Sequence, residues 1–157
     1  CFDKNRNALL IGATSKSRKG RYGKSHRDIF LFDLRKNVAS SRPDLSINIP
    51  ETKQFILGQG IELPVKYRKK GRRRENVLKF HTSAIAIHPT TNELYLVSSS
   101  DRLLMVFSRD GTIKGVSILD PLLFGKPEGI TFNNEGVLLI SNEGQQGVAT
   151  IHAFNKR

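Results

Sequence analysis

The sequence predicts an all-β fold of β-propeller blades, each made of four antiparallel strands, with about three blades present. Two observations predict it. Short apolar runs alternate with turns rich in Gly, Asn, Asp and Ser along most of the 157 residues. One pair of these runs recurs 45 positions later, from residue 83 to residue 128. A period of about 40 to 50 residues with several short strands per unit is typical of propeller blades.

The clearest hairpin lies at 126–143. Pro127 and Gly129 open an apolar run, a polar turn covers 133–136, and a second apolar run covers 137–140. Two such runs joined by a short turn that contains Gly predict a β-hairpin. The stretch is therefore the reference against which the other units are aligned.

The preceding unit repeats this pattern. Residues 83–87 align with 128–132, and residues 94–98 align with 137–141. Residues 51–63 fit either a short helix or a strand. An N-terminal unit has an inner strand that ends at Cys1-Phe2, followed by predicted strands at 8–13, 28–34 and 45–49. The middle unit has further strands at 103–107 and 113–119. The last unit has a third strand at 148–154.

We interpret residues 1–157 as a single partial propeller domain, with blades at about 1–50, 80–120 and 126–157. The first blade lacks most of its inner strand and the last lacks its outer strand, and open strand edges pair readily with another chain. We therefore expect the C-terminal half of a larger propeller. Its partner is expected to be the missing N-terminal half or a second copy, joined through the open blade edges. Because the chain begins with Cys1 and not Met, we also expect an upstream segment.

The net charge of +12 is concentrated in two predicted loop insertions, 14–27 and 64–76. They hold 13 of the 26 basic residues and one acidic residue, Glu75, and the rest of the chain balances 13 basic residues against 13 acidic ones. The single cysteine excludes an internal disulfide. No apolar run approaches the roughly 20 residues that a membrane-spanning helix needs.

The second insertion is a candidate site for a polyanion, because clustered cations contact phosphate groups. It contains one aromatic residue, Tyr67, which gives little support for stacking on bases, so nucleic acid is not the expected partner. The alternative is a solvated insertion without a ligand. The basic residues are Lys66, Arg68, Lys69, Lys70, Arg72, Arg73 and Arg74.

A second candidate site lies where the inner strands begin. Glu128 opens the last inner strand and Glu143 follows the adjacent strand, beside Asn142. The equivalent positions of the preceding blade are taken as Ser83 and Ser100. Inner-strand ends line the central channel of a propeller, and carboxylates there can bind a hard cation such as Ca²⁺. The alternative is that Glu128 caps backbone amides and Glu143 is solvated.

Sequence signals of catalysis are weak. The four histidines share no metal-ligand spacing, and no Gly-x-Ser-x-Gly motif occurs. The hydroxyls of 98–100 beside Asp101 fit a turn at a strand end better than a nucleophile site. We therefore assign no catalytic residues and expect a binding or scaffold module rather than an enzyme.

The motifs 127–132, 139–144, 83–89 and 94–99 resemble the SdiA-regulated family of bacterial β-propellers, which are similar to NHL-repeat propellers. The resemblance is closest over 77–154. It implies a six-bladed propeller that is periplasmic or anchored to an envelope membrane. Related propellers include calcium-dependent esterase-like and phytase-like enzymes, so a hydrolase active in the complete propeller is the alternative function.

Overall fold

The structure is a computed structural model that describes residues 1–14, 16–17, 19–67, 74–144 and 147–155, with the backbone alone at 67 and 74. This part of the chain contains fourteen strands and two helices, and most strands belong to three antiparallel sheets that follow one another along the sequence. The predicted all-β fold of consecutive propeller-type sheets is confirmed.

The first sheet has the order β1-β2-β3-β4, and β5 pairs with the start of the long strand β3. Its inner strand is short, as predicted. The strands are β1 (Phe2–Asp3), β2 (Ala8–Gly12), β3 (His26–Asp33), β4 (Val38–Ala39) and β5 (Leu45–Asn48).

The second sheet is a complete four-stranded meander, and the third sheet has three strands in the described residues. A two-stranded hairpin, β6 (Val65–Tyr67) and β7 (Arg74–Asn76), precedes them. The second sheet contains β8 (Thr82–Ile87), β9 (Leu94–Ser98), β10 (Leu103–Phe107) and β11 (Ile113–Ile118). The third contains β12 (Pro127–Phe132), β13 (Leu138–Asn142) and β14 (Thr150–Phe154).

The second sheet is covered on both faces, which explains its nearly continuous apolar strands. Side chains alternate between the faces of a strand. Leu96 and Met105 pack into the core shared with the first sheet, whereas Val97 and Leu104 pack into the core shared with the third. Strands buried on both faces lose the apolar–polar alternation that marks a half-exposed sheet.

The ambiguous segment 51–63 contains a helix, α2 (Ile49–Gly58). Its first turn has a clear start signal, because the Asn48 side chain accepts a hydrogen bond from the backbone N–H of Glu51 and Pro50 occupies the first turn. Thr52 and Ile56 are buried on one face, four residues apart. The helix packs against β5 and β11.

Both insertions are more structured than predicted. The first, 14–27, contains a short helix, α1 (Gly20–Ser25). The last two residues of this insertion, His26 and Arg27, already belong to β3. The second, 64–76, begins and ends in the paired strands β6 and β7. The prediction of loops was therefore wrong at 20–27, 65–67 and 74–76, because a six-residue helix and three-residue strands are too short to leave a periodic pattern; residues 68–73 lie outside the described residues.

Candidate functional site

The inner strands of the second and third sheets share one irregularity, a shift in register directly after the first residue of the strand. The register shifts between Thr82 and Ala84 in β8 and between Pro127 and Gly129 in β12. Ser83 and Glu128 are therefore equivalent bulge residues, as the sequence alignment assumed. A bulge leaves one residue outside the ladder and changes the direction of its side chain.

The second strands align differently from the prediction. Ile87 pairs with Leu94 and Phe132 pairs with Leu138, so Leu94 corresponds to Leu138 and not to Val137. The turn between β12 and β13 is one residue shorter than the turn between β8 and β9. Glu143 consequently corresponds to residue 99, and the assignment of Ser100 as its counterpart was wrong by one position.

Lys126 brings the two predicted carboxylates together. Its Nζ donates a hydrogen bond to Glu143 Oε2, and Glu128 Oε1 lies 3.7 Å from the same nitrogen. The Glu128 side chain remains 41% exposed. The hydrogen bond to Glu143 raises the pKa of Lys126, and the charges of both carboxylates act in the same direction. We call Lys126, Glu128 and Glu143 the strand-start cluster.

Ser83 links the second and third sheets through its hydroxyl group. Its Oγ lies 3.0 Å from the carbonyl oxygen of Val97 and 3.1 Å from that of Pro127, and it accepts the backbone N–H of Ser99 at 3.2 Å. The hydroxyl joins the bulge of β8 to the first residue of β12. The structure therefore places Ser83 behind the strand-start cluster as a structural contact.

Ser100 belongs to a turn held by Asp101. Asp101 accepts hydrogen bonds from Ser98 Oγ at 2.6 Å and from the backbone N–H groups of Lys79 and Phe80 at 2.9 and 2.8 Å. Ser100 Oγ lies 3.3 Å from the same carboxylate. The Asp101 carboxylate thus holds the turn and the backbone before β8, which agrees with a structural role for Asp101 and Ser100.

Asn142 is buried beneath the cluster. Its Nδ2 donates to the carbonyl oxygen of Leu123 and to Thr150 Oγ1, both at 3.3 Å. Its Oδ1 is buried and has no hydrogen-bond partner among the described residues, which leave out 145 and 146 nearby. The side-chain amide of Asn142 ties the end of β13 to β14 and to the connection that precedes β12. The backbone from which the Glu143 side chain projects is thereby fixed.

The cluster already contains a cation. In the described part of the chain, no group of three or more His, Cys, Asp or Glu side chains is arranged to hold a metal ion. Glu128 and Glu143 share an ammonium group, so Ca²⁺ would have to displace Lys126 to use both carboxylates. Hard cations prefer several oxygen ligands, and two carboxylates that are paired with a lysine satisfy this preference poorly.

The predicted polyanion residues fall mostly outside the described residues. This applies to Arg68, Lys69, Lys70, Arg72 and Arg73, and to the side chain of Arg74. Lys66 is exposed in β6, whose pairing with β7 brings the two ends of the basic run side by side.

Sequence reasoning missed two basic residues that the structure makes central. Lys126 stands directly before the Pro127–Glu128 motif, and this adjacency is the sequence signal that could have identified it. Arg27 was counted among the exposed loop cations, yet it is only 7% exposed and donates to the carbonyl oxygens of Lys79 and Phe80. Burial lowers the pKa of Arg27.

Consecutive antiparallel sheets that pack face to face, with polar groups where inner strands begin, define an all-β protein of the propeller type. A model of the SdiA-regulated family matches residues 47–155, more than half of the chain, so the chain belongs to the SdiA-regulated family. The match runs from the last strand of the first sheet through the third sheet. Among curated proteins, no sequence matches the chain.

Proposed function

We propose that the protein is a binding module that recognises the cationic group of a polar ligand at the strand-start cluster. The observation that supports this most strongly is the local charge. Two carboxylates against one ammonium give the cluster a net charge of −1, within a chain of net charge +12. A cationic group is therefore attracted to this point and repelled by the two basic insertions, which hold the net positive charge of the chain.

Glu128 is the residue that we expect to contact the ligand. Glu143 is committed to Lys126, whereas Glu128 is 3.7 Å from the ammonium and partly exposed, so its oxygens have room for further donors. The bulge in β12 directs it out of the ladder. A guanidinium group suits this position, because it donates two parallel hydrogen bonds to a carboxylate.

Calorimetric titration with argininamide tests the proposal. We expect measurable heat with the wild-type protein and its loss in Glu128→Gln, which keeps the shape of the side chain but removes its charge. Glu135→Gln is the matched control, because Glu135 is an exposed carboxylate at the opposite end of the same hairpin. Equal binding by wild type and Glu128→Gln would contradict the proposal.

Titration with Ca²⁺ in the same experiment addresses the calcium-dependent alternative. If the Lys126 ammonium blocks the two carboxylates, the wild type gives no heat and Lys126→Met gains weak Ca²⁺ binding. Strong Ca²⁺ binding by the wild type that Glu128→Ala abolishes would instead favour the calcium-dependent hydrolase.

Binding of a polyanion is a second candidate function, favoured by the pairing of β6 with β7. In the sequence, the five cations of Arg68-Lys69-Lys70-Gly71-Arg72-Arg73 stand between these two paired strands. Replacement of these five by Gln should lower the salt concentration that elutes the protein from heparin. The matched control replaces five exposed, scattered cations by Gln, namely Lys4, Arg35, Lys36, Arg42 and Lys114. Equal effects would indicate net charge alone.

Family membership is what supports an envelope location for the protein. In the described residues, neither helix has the length and apolar character that a membrane crossing requires. Fractionation of cells that express the full reading frame tests the location, and recovery in the cytoplasmic fraction would contradict it.

A further inference from the structure

A cleft in the described structure lies away from the strand-start cluster. It has a volume of about 560 Å³ and is bounded by the end of α1, one face of α2 and the segment that follows β7. This volume falls within the range of pockets that take small organic ligands, roughly 300 to 1,000 Å³.

The floor of the cleft is aliphatic. Ile49 and Leu78 belong to the buried core between the first two sheets, and Leu57 packs against that core while it also lines the cleft. Val77 adds another aliphatic side chain. Among the described residues no aromatic side chain lines the cleft, so its apolar surface suits a flexible hydrocarbon chain better than a flat ring.

Two lysine side chains line the cleft. Lys53 lies on α2 four residues before Leu57, so both side chains belong to the stripe of the helix that faces the cleft. Lys24 approaches from the last turn of α1. In the described part of the chain, neither lysine forms a hydrogen bond or an ion pair. Glu75 also lines the cleft, but it is engaged by a partner.

We propose that this cleft binds a single-chain anionic amphiphile, a fatty-acid-type carboxylate. The aliphatic floor takes the hydrocarbon chain, and Lys24 and Lys53 pair with the carboxylate at its end. Charge complementarity favours this ligand over a neutral one, since the two unpaired ammonium groups lie beside an apolar surface and the chain as a whole carries +12. The proposal is independent of ligand binding at the strand-start cluster.

Displacement of dansyl-undecanoate fluorescence by decanoate tests the proposal. We expect Lys53→Gln to weaken decanoate binding by about fivefold or more, as loss of one charged contact does, and Lys24→Gln to act in the same direction. Lys114→Gln, an exposed lysine on β11, is the matched control and should leave binding unchanged. Leu57→Gln tests the floor, and thermal unfolding confirms that each variant is folded.

Decanol tests whether the carboxylate charge is recognised, and octanoate tests whether the length of the hydrocarbon chain is. Decanol should bind at least several-fold more weakly than decanoate because it lacks the charge. Octanoate should also bind more weakly than decanoate, by about three- to fourfold for each methylene that the cleft buries. Equal binding of decanol and decanoate, or equal losses in Lys53→Gln and Lys114→Gln, would overturn the proposal. Binding only to vesicles of anionic lipid, with no binding of monomeric decanoate, would overturn it as well.

Discussion

Arg27 and Asp101 hold the backbone of Lys79 and Phe80 from opposite sides. Arg27 Nε and Nη2 donate to the two carbonyl oxygens at 2.7 and 2.8 Å, and Asp101 accepts the two backbone N–H groups. Phe80 is fully buried and has a φ of 48°, a conformation that costs energy for a residue with a bulky side chain. The two charged side chains thus fix the entry into the second sheet.

We predict that Arg27→Met lowers the free energy of unfolding by about 2–4 kcal/mol, because the carbonyl group of Phe80, in a buried hydrogen bond, and that of Lys79, in a partly buried one, lose their donors. Urea unfolding measures the change. Arg35→Met is the control, since Arg35 is exposed and its removal should change stability by less than about 0.5 kcal/mol. Equal effects of the two substitutions would show that the contact contributes little.

The pKa of Asp110 is lowered to about 2. The main cause is the hydrogen bond that Ser108 Oγ donates to the carboxylate at 2.5 Å, and the next is the one that the backbone N–H of Thr112 donates at 3.0 Å. A carboxylate stabilised only in the folded protein contributes stability above its ordinary pKa of about 4. That contribution is lost as the pH falls towards about 2. We predict that Ser108→Ala raises the pKa of Asp110 in an NMR titration, whereas Ser117→Ala does not; an unchanged pKa in Ser108→Ala would contradict this cause.

Residues differ in how far their roles can be predicted from sequence. The turn at Asp110-Gly111 was predictable, because a hairpin turn depends on neighbouring residues. Arg27 was not, because its acceptors are more than 50 positions away. Its position in a basic cluster predicted an exposed side chain, and only the packing of the first two sheets shows otherwise.

Gly111 connects two elements through close approach. It has a φ of 90°, and a Cβ at this position would lie 2.9 Å from Leu45 Cδ1 of the first sheet. The turn between β10 and β11 therefore packs directly on β5. Both the backbone conformation and the missing side chain are required here.

We predict that Gly111→Ala lowers stability by about 1–3 kcal/mol, through unfavourable φ and crowding against Leu45. Gly58→Ala is the opposite case, because Gly58 ends α2 with open space around its Cβ position. We expect it to raise stability by about 0.4–1 kcal/mol. Thermal unfolding monitored by circular dichroism compares the two, and effects of the same sign would contradict this explanation.

Strands were easier to predict than the elements between them. The runs of the second and third sheets were located from apolar content and Gly-marked turns. The helix at Ile49–Gly58 competed with a strand, although the Asn48 cap and Pro50 are local start signals. The hairpin β6–β7 was missed because its strands are polar. The one-residue error in aligning β13 arose from unequal turn lengths, which sequence similarity does not reveal.

The third sheet leaves one edge uncovered in the described structure. β14 pairs with β13 on one side, and Ile151 is 71% exposed. Exposed strand edges with apolar side chains favour pairing with a further strand. We therefore propose that the missing N-terminal half of the propeller or a second copy covers this edge.

We predict that the protein associates in a concentration-dependent manner and that Ile151→Lys weakens the association, because lysine on an edge strand opposes pairing. Light scattering coupled to size-exclusion chromatography measures the mass. Leu122→Lys is the matched control, because Leu122 is 91% exposed but lies in a connection and not in a strand. A monomeric wild type, or equal effects of the two variants, would contradict edge pairing.

The candidate site was proposed from the repeat, and the contacts of its residues were not predictable from the sequence. Alignment of β8 with β12 identified Glu128 as the residue that replaces Ser83. The ammonium of Lys126 between the carboxylates became visible only with side-chain positions, because a residue that precedes a strand can point in many directions. This lysine is the reason that we propose a cationic group, and not the candidate Ca²⁺, as the ligand.

NMR spectroscopy of the ¹⁵N-labelled protein during titration with argininamide tests the central claim most directly. If the strand-start cluster is the binding site, the amide signals of Glu128, Gly129 and Glu143 shift together and saturate, and the shifts disappear in Glu128→Gln but persist in Glu135→Gln. Shifts that are absent from these amides, or that remain unchanged in Glu128→Gln, would contradict the claim.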